Sequence, residues 1–200
     1  MKKKDKSIIV SAACGILLLL LYLGTTLGWL EGFDRVVSVF FVRTPLLTQI
    51  MKAVTFLGEA EVLIGIAVIY ILICKNKKIG AVVLLNLGCI ALFNHILKFI
   101  VKRPRPSLEH LVVADGFSFP SGHSACSMAF YGMLIYLINK KCKNKKIKYI
   151  LTAILSVLIL AIGCSRIYLR VHYPSDVLAG FTFGLLILSF FCKLVDSVDN

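Results

Sequence analysis

Charge is scarce in this chain, and acidic charge most of all. Only 16% of its 200 residues are charged, with ten Asp and Glu against 23 Lys and Arg. A soluble domain of this size is about a quarter charged and nearer half apolar, whereas this chain is 58% hydrophobic with a mean hydropathy of +0.88. A water-soluble globule is thereby excluded. Alternation of apolar and polar residues over ~10-residue segments is missing too, which excludes a closed β-barrel. There is no CxxC pair and no regular cysteine spacing, so Cys14, Cys74, Cys89, Cys126, Cys142, Cys164 and Cys192 read as small apolar packing residues. Cys126 and Cys164 fall near one membrane face and are the pair to test for proximity. Internal repeats and low-complexity tracts are absent.

What remains is six apolar runs: roughly Ile8 to Leu30, Thr55 to Cys74, Ile79 to Phe99, Gly122 to Ile138, Ile147 to Leu169 and Ser175 to Leu194. Each is close to the ~20 residues that a helix needs to cross a hydrocarbon core. The expectation is an all-α polytopic membrane protein of six transmembrane helices, a single domain over residues 1–200. The first run follows Lys2, Lys3, Lys4 and Lys6 as a signal peptide would, but it is too long and lacks a small-residue cleavage site, so it reads as a retained helix. Between the first two runs, "EGFDRVVSVFFVRTPLLTQIMKAV" is mixed in charge and apolar at helical spacing. It predicts a short amphipathic helix on the outer surface.

The net charge of +13 invites a nucleic-acid partner, but its distribution excludes one. With a cytoplasmic amino terminus and alternating helices, the inner side holds fourteen cations against three acids, and the outer side nine cations against seven acids. Positive-inside bias then places both termini in the cytoplasm, with the "NKKCKNKKIK" loop anchoring against anionic lipid. Lys98, Arg105 and Arg166 oppose this bias, and ionisable groups at membrane depth point to function.

The outer loops concentrate the polar chemistry. In "HILKFIVKRPRPS", Pro104 ends the third helix near Arg103, leaving Lys98 on its last turns and Arg105 on a stiff loop above. In "FPSGH", Ser121 suits a helix N-cap, Gly122 admits close backbone approach, and the free amides of the first turn suit an anion facing His123. In "GCSRIYLRVHYPSD", Arg166 ends the fifth helix and Pro174 opens the sixth. His172 then stands at the helix mouth with Asp176 four residues on, placed to fix one ring nitrogen and leave the other free to attack. Taken alone, each of these has a bland account: a snorkelling cation, a capping histidine, an i,i+4 metal pair. Gathered on one face they suit phosphoryl transfer through a phosphohistidine, with His172 as nucleophile and His123 as the acid that protonates the leaving oxygen. Glu59, Glu61, Asn94 and His95 read as interfacial residues or as lining of a substrate entrance, without a catalytic role.

K-x6-R-P (Lys98, Arg105, Pro106), P-S-G-H (Pro120 to His123) and S-R-x5-H-x3-D (Ser165, Arg166, His172, Asp176) together resemble the signature of the type 2 phosphatidic acid phosphatase superfamily. The register of the first motif is unambiguous, because pairing with Arg103-Pro104 would need a lysine at Ile96. The motifs span residues 98–176. The resemblance implies a lipid phosphatase without metal or other cofactor, in a bacterial cell membrane with its site facing outside. It implies phosphate binding by Lys98, Arg105, Ser121, Gly122 and Arg166, and catalysis by His172, His123 and Asp176. Vanadium haloperoxidases share the signature but are soluble. Short bacterial members act on phosphatidylglycerophosphate, phosphatidic acid or undecaprenyl pyrophosphate, so the expected partner is a membrane lipid, with no obligate protein partner. The alternatives are a phosphotransferase using the same phosphohistidine, and a transporter that grips a lipid phosphate without cleaving it.

Overall fold

The computed structural model describes residues 3–199, with side chains from Ile8 onward; the side chains of the N-terminal lysines lie outside the described residues. Among the described residues the chain is helical, with no strand: α1 (Lys3–Thr26), α2 (Glu31–Val39), α3 (Pro45–Phe56), α4 (Ala60–Ile73), α5 (Lys77–Val101), α6 (Gly122–Lys141), α7 (Lys145–Tyr168) and α8 (Pro174–Val198).

Four helices, α1, α5, α7 and α8, are long and apolar enough to cross a membrane, and α3 with α4 makes a fifth candidate bent by 47°. Large apolar side chains such as Ile16, Leu20, Ile69, Leu72, Leu92, Ile154 and Val157 point outward from these helices. Such a surface suits lipid rather than water. The fourth expected run, α6, is not among them; it carries Ser124, Ser127, Gly132, Asn139, Lys140 and Lys141. Packing explains the polarity. α6 lies against α5, α7 and α8, and much of its surface is covered by protein.

The single amphipathic helix expected between the first two runs is corrected to two elements. α2 ends at Val39, and a new helix starts at Pro45, with Thr44 as N-cap accepting from Leu47 N at 3.2 Å. α3 belongs instead with α4, where the Leu57–Glu59 break sits beside the site.

α6 and α8 approach unusually closely through Gly180 and Gly184, one helical turn apart. A Cβ at Gly180 would sit 2.6 Å from Ser121 O, and one at Gly184 would sit 2.5 Å from Ala125 O. Small residues spaced by four are how membrane helices bring backbones together. The contact joins the start of α6 to the start of α8, where Ser121 N donates to Asp176 O at 3.0 Å. At the other end, Asn76 Nδ2 donates to Val198 O at 3.3 Å, Lys140 pairs with Asp196 at 2.8 Å and Lys141 with Asp199 at 2.9 Å. The lysine-rich loop, the α4–α5 turn and the end of α8 therefore share one end of the bundle, and the three motifs share the other.

Candidate active site

His172 lies in the turn between α7 and α8, 3% exposed, with its backbone N–H donating to Arg166 O at 3.3 Å. Its Nδ1 lies 3.5 Å from Asp176 Oδ2 and 3.4 Å from Ser118 Oγ. The first distance is longer than a tight hydrogen bond. Ser118 Oγ also donates to Asp176 Oδ2, so hydroxyl and carboxylate together face one ring nitrogen. The other, Nε2, lies 3.3 Å from Arg105 Nη1. Burial pushes the His172 pKa down to about 3, with Lys98 and Arg166 adding to the drop and Asp176 opposing it. The ring is therefore neutral at ordinary pH, as a nucleophile must be.

Three cations surround this ring and lie within electrostatic range of one another. Lys98 reaches from the last turns of α5 to Phe117 O at 2.5 Å. Arg105 is held by Val171 O at 2.8 Å, Asp115 O at 2.6 Å and Gly116 O at 3.1 Å. Arg166, 4% exposed, donates Nη1 to Thr55 Oγ1 at 2.7 Å, and its Nε is buried without a partner. A buried guanidinium N–H left unsatisfied costs free energy that an anion would recover.

His123 stands in the first turn of α6. Its Nε2 lies 3.2 Å from Glu59 Oε1 yet makes no hydrogen bond, so the two are close but misaligned. Ser121 is the N-cap of α6 by position, but its hydroxyl accepts from Ser124 Oγ at 3.0 Å instead of capping the helix. Gly122 has no room for a side chain without crowding Asn94 Oδ1. A cavity of about 390 Å³ opens here between α4, α5 and α6, lined by Glu59, Asn94, His95, Lys98, Gly122 and His123 at its polar end and by Leu63, Ile64 and Leu87 beyond. Of the four residues left open by sequence, Glu59, Asn94 and His95 line this cavity; Glu61 does not.

Sequence reasoning missed the residues that hold Asp176. Arg103, considered only as a rejected motif register, donates Nη1 to Asp176 Oδ1 at 2.6 Å and to Ser175 Oγ at 2.8 Å, and Nη2 to Asp34 Oδ2 at 2.7 Å. Asp34, 4% exposed on α2, also accepts from Ser175 N at 2.8 Å and Ser175 Oγ at 2.7 Å. Tyr173 N donates to Asp176 Oδ2 at 2.9 Å, and the Arg103 guanidinium lies over the Tyr173 ring. An i,i+4 His/Asp pair could begin a metal site, but among the described residues no group of three or more His, Cys, Asp or Glu is assembled. Asp176 is occupied by donors.

Known proteins of similar sequence and fold place the chain in a family. The chain is 35% identical over 166 residues to phosphatidylglycerophosphatase B of Bacillus subtilis, covering 78% of this chain and 80% of that one. It is 32% identical over 112 residues to the dolichyldiphosphatase of Saccharomyces cerevisiae, covering 52% and 46%. Its structure superposes with a TM-score of 0.85 on the crystal structure of a transmembrane PAP2-type phosphatidylglycerolphosphate phosphatase from Bacillus subtilis, at 31% identity and covering 94% and 96% of the two chains. The sequence model of the PAP2 superfamily matches residues 78–198, which contain all three motifs, and the chain belongs to that superfamily as one of its membrane lipid phosphatases.

Proposed function

We propose that this protein hydrolyses a lipid phosphate or pyrophosphate at the outer leaflet, through a phosphohistidine on His172 and without a metal. The observation that carries this reading is the polarity of the His172 ring: Nδ1 faces Asp176 and Ser118, while Nε2 faces the Arg105 guanidinium. A phosphoryl group held by Lys98, Arg105 and Arg166, with the α6 amides at Ser121 and Gly122, presents its phosphorus to Nε2. The N–P bond forms, the P–O bond to the lipid breaks, and His123 gives its proton to the leaving oxygen. Water then attacks phosphorus as His123 takes a proton from it, the P–N bond breaks, and orthophosphate departs. The apolar part of the cavity between α4, α5 and α6 suits the lipid chains.

Six crossings are the reading that this topology supports, counting α3 with α4 as one and α6 as a crossing sheltered by protein. The lysine-rich end is then cytoplasmic and the site faces outward. Phosphatidylglycerophosphate and undecaprenyl pyrophosphate are the substrates favoured by the named activities of the phosphatidylglycerophosphatase and of an undecaprenyl-diphosphatase of Sulfolobus acidocaldarius, 25% identical over 144 residues. The test is release of free phosphate from these lipids by purified protein with and without EDTA. Release unaffected by the chelator and abolished in His172→Ala is expected. Loss in EDTA with rescue by a divalent ion would sink the metal-free mechanism, and transfer to an acceptor without free phosphate would make the protein a transferase.

A further inference from the structure

A second cavity, about 800 Å³, lies on the loop side of His172, which stands in its wall with Arg103. Its rim brings together Arg35 and Arg43, outside the three motifs, and Arg170, at an unspecified position inside the third. Among the described residues no carboxylate lies within ion-pair distance of any of these three. Asp34, in the same wall, is committed to Arg103 and Ser175.

Arg170 combines three unfavourable features. Its backbone is left-handed at φ 63, a region that a side-chain-bearing residue enters at a cost. Its Nε is buried with no hydrogen-bond partner. It also lies near enough to the Arg43 guanidinium to repel it, while Arg43 itself is fixed by Tyr168 O at 3.0 Å and Phe41 O at 2.9 Å. An anion between the two guanidinium groups would relieve the repulsion and satisfy the orphaned N–H together.

We propose that Arg43 and Arg170, with Arg35 at the rim, form a phosphate-group subsite on the loop side of the nucleophile, separate from the Lys98–Arg105–Arg166 set. This rests on the lipid-phosphatase reading for its ligand, which is either the orthophosphate released from His172 or the phosphodiester headgroup of a lipid. On that reading the apolar cavity on the His123 side takes the lipid, so the arginine-rimmed cavity is a route for the anionic product away from the leaving lipid.

The test uses full-length protein in neutral detergent, with Arg170→Gly and Arg43→Gln. Glycine adopts a left-handed backbone freely, so Arg170→Gly removes the guanidinium while relaxing the chain, and it should fold. In wild type, inorganic phosphate should inhibit with a competitive part from the inner cations and a noncompetitive part from the outer subsite. Each variant should weaken the noncompetitive part by about tenfold, the loss of one charge-assisted contact, and leave the competitive part in place. In His172→Ala, which does not turn over, inorganic phosphate should raise Tm, and adding Arg170→Gly should reduce that rise. Glycerophosphoglycerol serves as the headgroup probe: a rise with it alone assigns the subsite to lipid, and a rise with inorganic phosphate assigns it to product. Purely competitive inhibition with Tm rises unchanged in the variants would overturn the subsite while leaving phosphate release intact. An Arg170-dependent rise without any phosphate release would overturn the phosphatase reading and keep the subsite.

Discussion

Arg103 Nη1 lies 2.6 Å from Asp176 Oδ1, and the same guanidinium reaches Asp34 on α2 at 2.7 Å, so a helix outside the three motifs is tied to the carboxylate beside the nucleophile. Planar, bidentate bridging of two carboxylates is a task for arginine that lysine cannot repeat. Around Asp176 stand Arg103 from the α5–α6 loop, Ser118 from the same loop, His172 and Tyr173 from the α7–α8 turn, and Lys98 from α5.

Arg103→Lys keeps the charge but loses the bridge. It should lower kcat on the order of 10²-fold with little change in KM, because misplacing a positioned group by about 1 Å costs that much. Arg103→Gln also removes a cation near the His172–Asp176 pair. The imidazolium form is then opposed less, so the acid limb of kcat against pH should move upward in Arg103→Gln and stay in place in Arg103→Lys. Equal profiles in both variants would show that Arg103 acts by geometry alone.

His172 makes stability depend on pH. The unfolded imidazole takes up a proton near 6.5, while the folded one resists until about 3. Protons therefore favour unfolding through that window, and stability falls as pH drops. From pH 6.5 to 5, above the carboxylate range, the loss is at most about 2 kcal/mol, from about 1.4 kcal/mol per unit. His172→Asn should flatten this part of the profile of Tm against pH. A slope unchanged in the variant would assign the proton uptake to another group.

The approach of α6 to α8 can be tested with its own control. Gly180→Ala places a Cβ against the Ser121 carbonyl, a backbone atom that cannot swing aside, whereas a Cβ at Gly65 in α4 meets nothing within 4 Å. Overpacking of this kind costs about 1–3 kcal/mol. Gly180→Ala should lower Tm and, by displacing Ser121 and the start of α6, lower kcat as well. Gly65→Ala should do neither.

The residues that the structure gathers around His172 were legible in sequence because each motif is local. Pro104, Gly122 and Pro174 mark where helices end or begin, and charge at those ends of apolar runs is conspicuous. Long-range partners leave no such mark. Thr55 meets Arg166 across 111 positions, Asp34 meets Arg103 across 69, and Glu59 approaches His123 from a helix break that composition does not announce. Gly122 to Ile138 read as an apolar run like the others, and its shelter left no mark, since serine and glycine on a helix wrapped by neighbours are packing surface. The amphipathic stretch likewise hid its break, because Val39–Pro45 is apolar throughout apart from Arg43 and Thr44.

The orientation of the bundle follows from labelling. A cysteine-free background carrying Ser107→Cys, on the loop that holds Arg105, should react with an impermeant thiol reagent in intact cells, while Asn144→Cys in the lysine-rich loop should not. The reverse pattern would put the site in the cytoplasm.

The two histidines separate through the leaving group. His172→Ala removes the nucleophile, so all substrates should lose nearly all turnover. His123→Ala removes the proton donor, and general acid catalysis contributes about 10²–10⁴-fold. That contribution scales with the basicity of the departing oxygen. The alkoxide leaving from phosphatidic acid or phosphatidylglycerophosphate is strongly basic, whereas the phosphate leaving from a lipid pyrophosphate and nitrophenolate are weakly so. His123→Ala should therefore damage hydrolysis of the monoester lipids far more than that of undecaprenyl pyrophosphate or p-nitrophenyl phosphate, measured as kcat at saturating substrate. Glu59 Oε1 lies 3.2 Å from His123 Nε2, so its carboxylate faces the ring that would donate the proton. Glu59→Gln should then reproduce the same gradient in weaker form, because the carboxylate favours the imidazolium that donates. A uniform fall across leaving groups in His123→Ala would mean that this histidine holds phosphate rather than protonating the lipid oxygen, and the acid would have to be sought elsewhere along the same cavity wall.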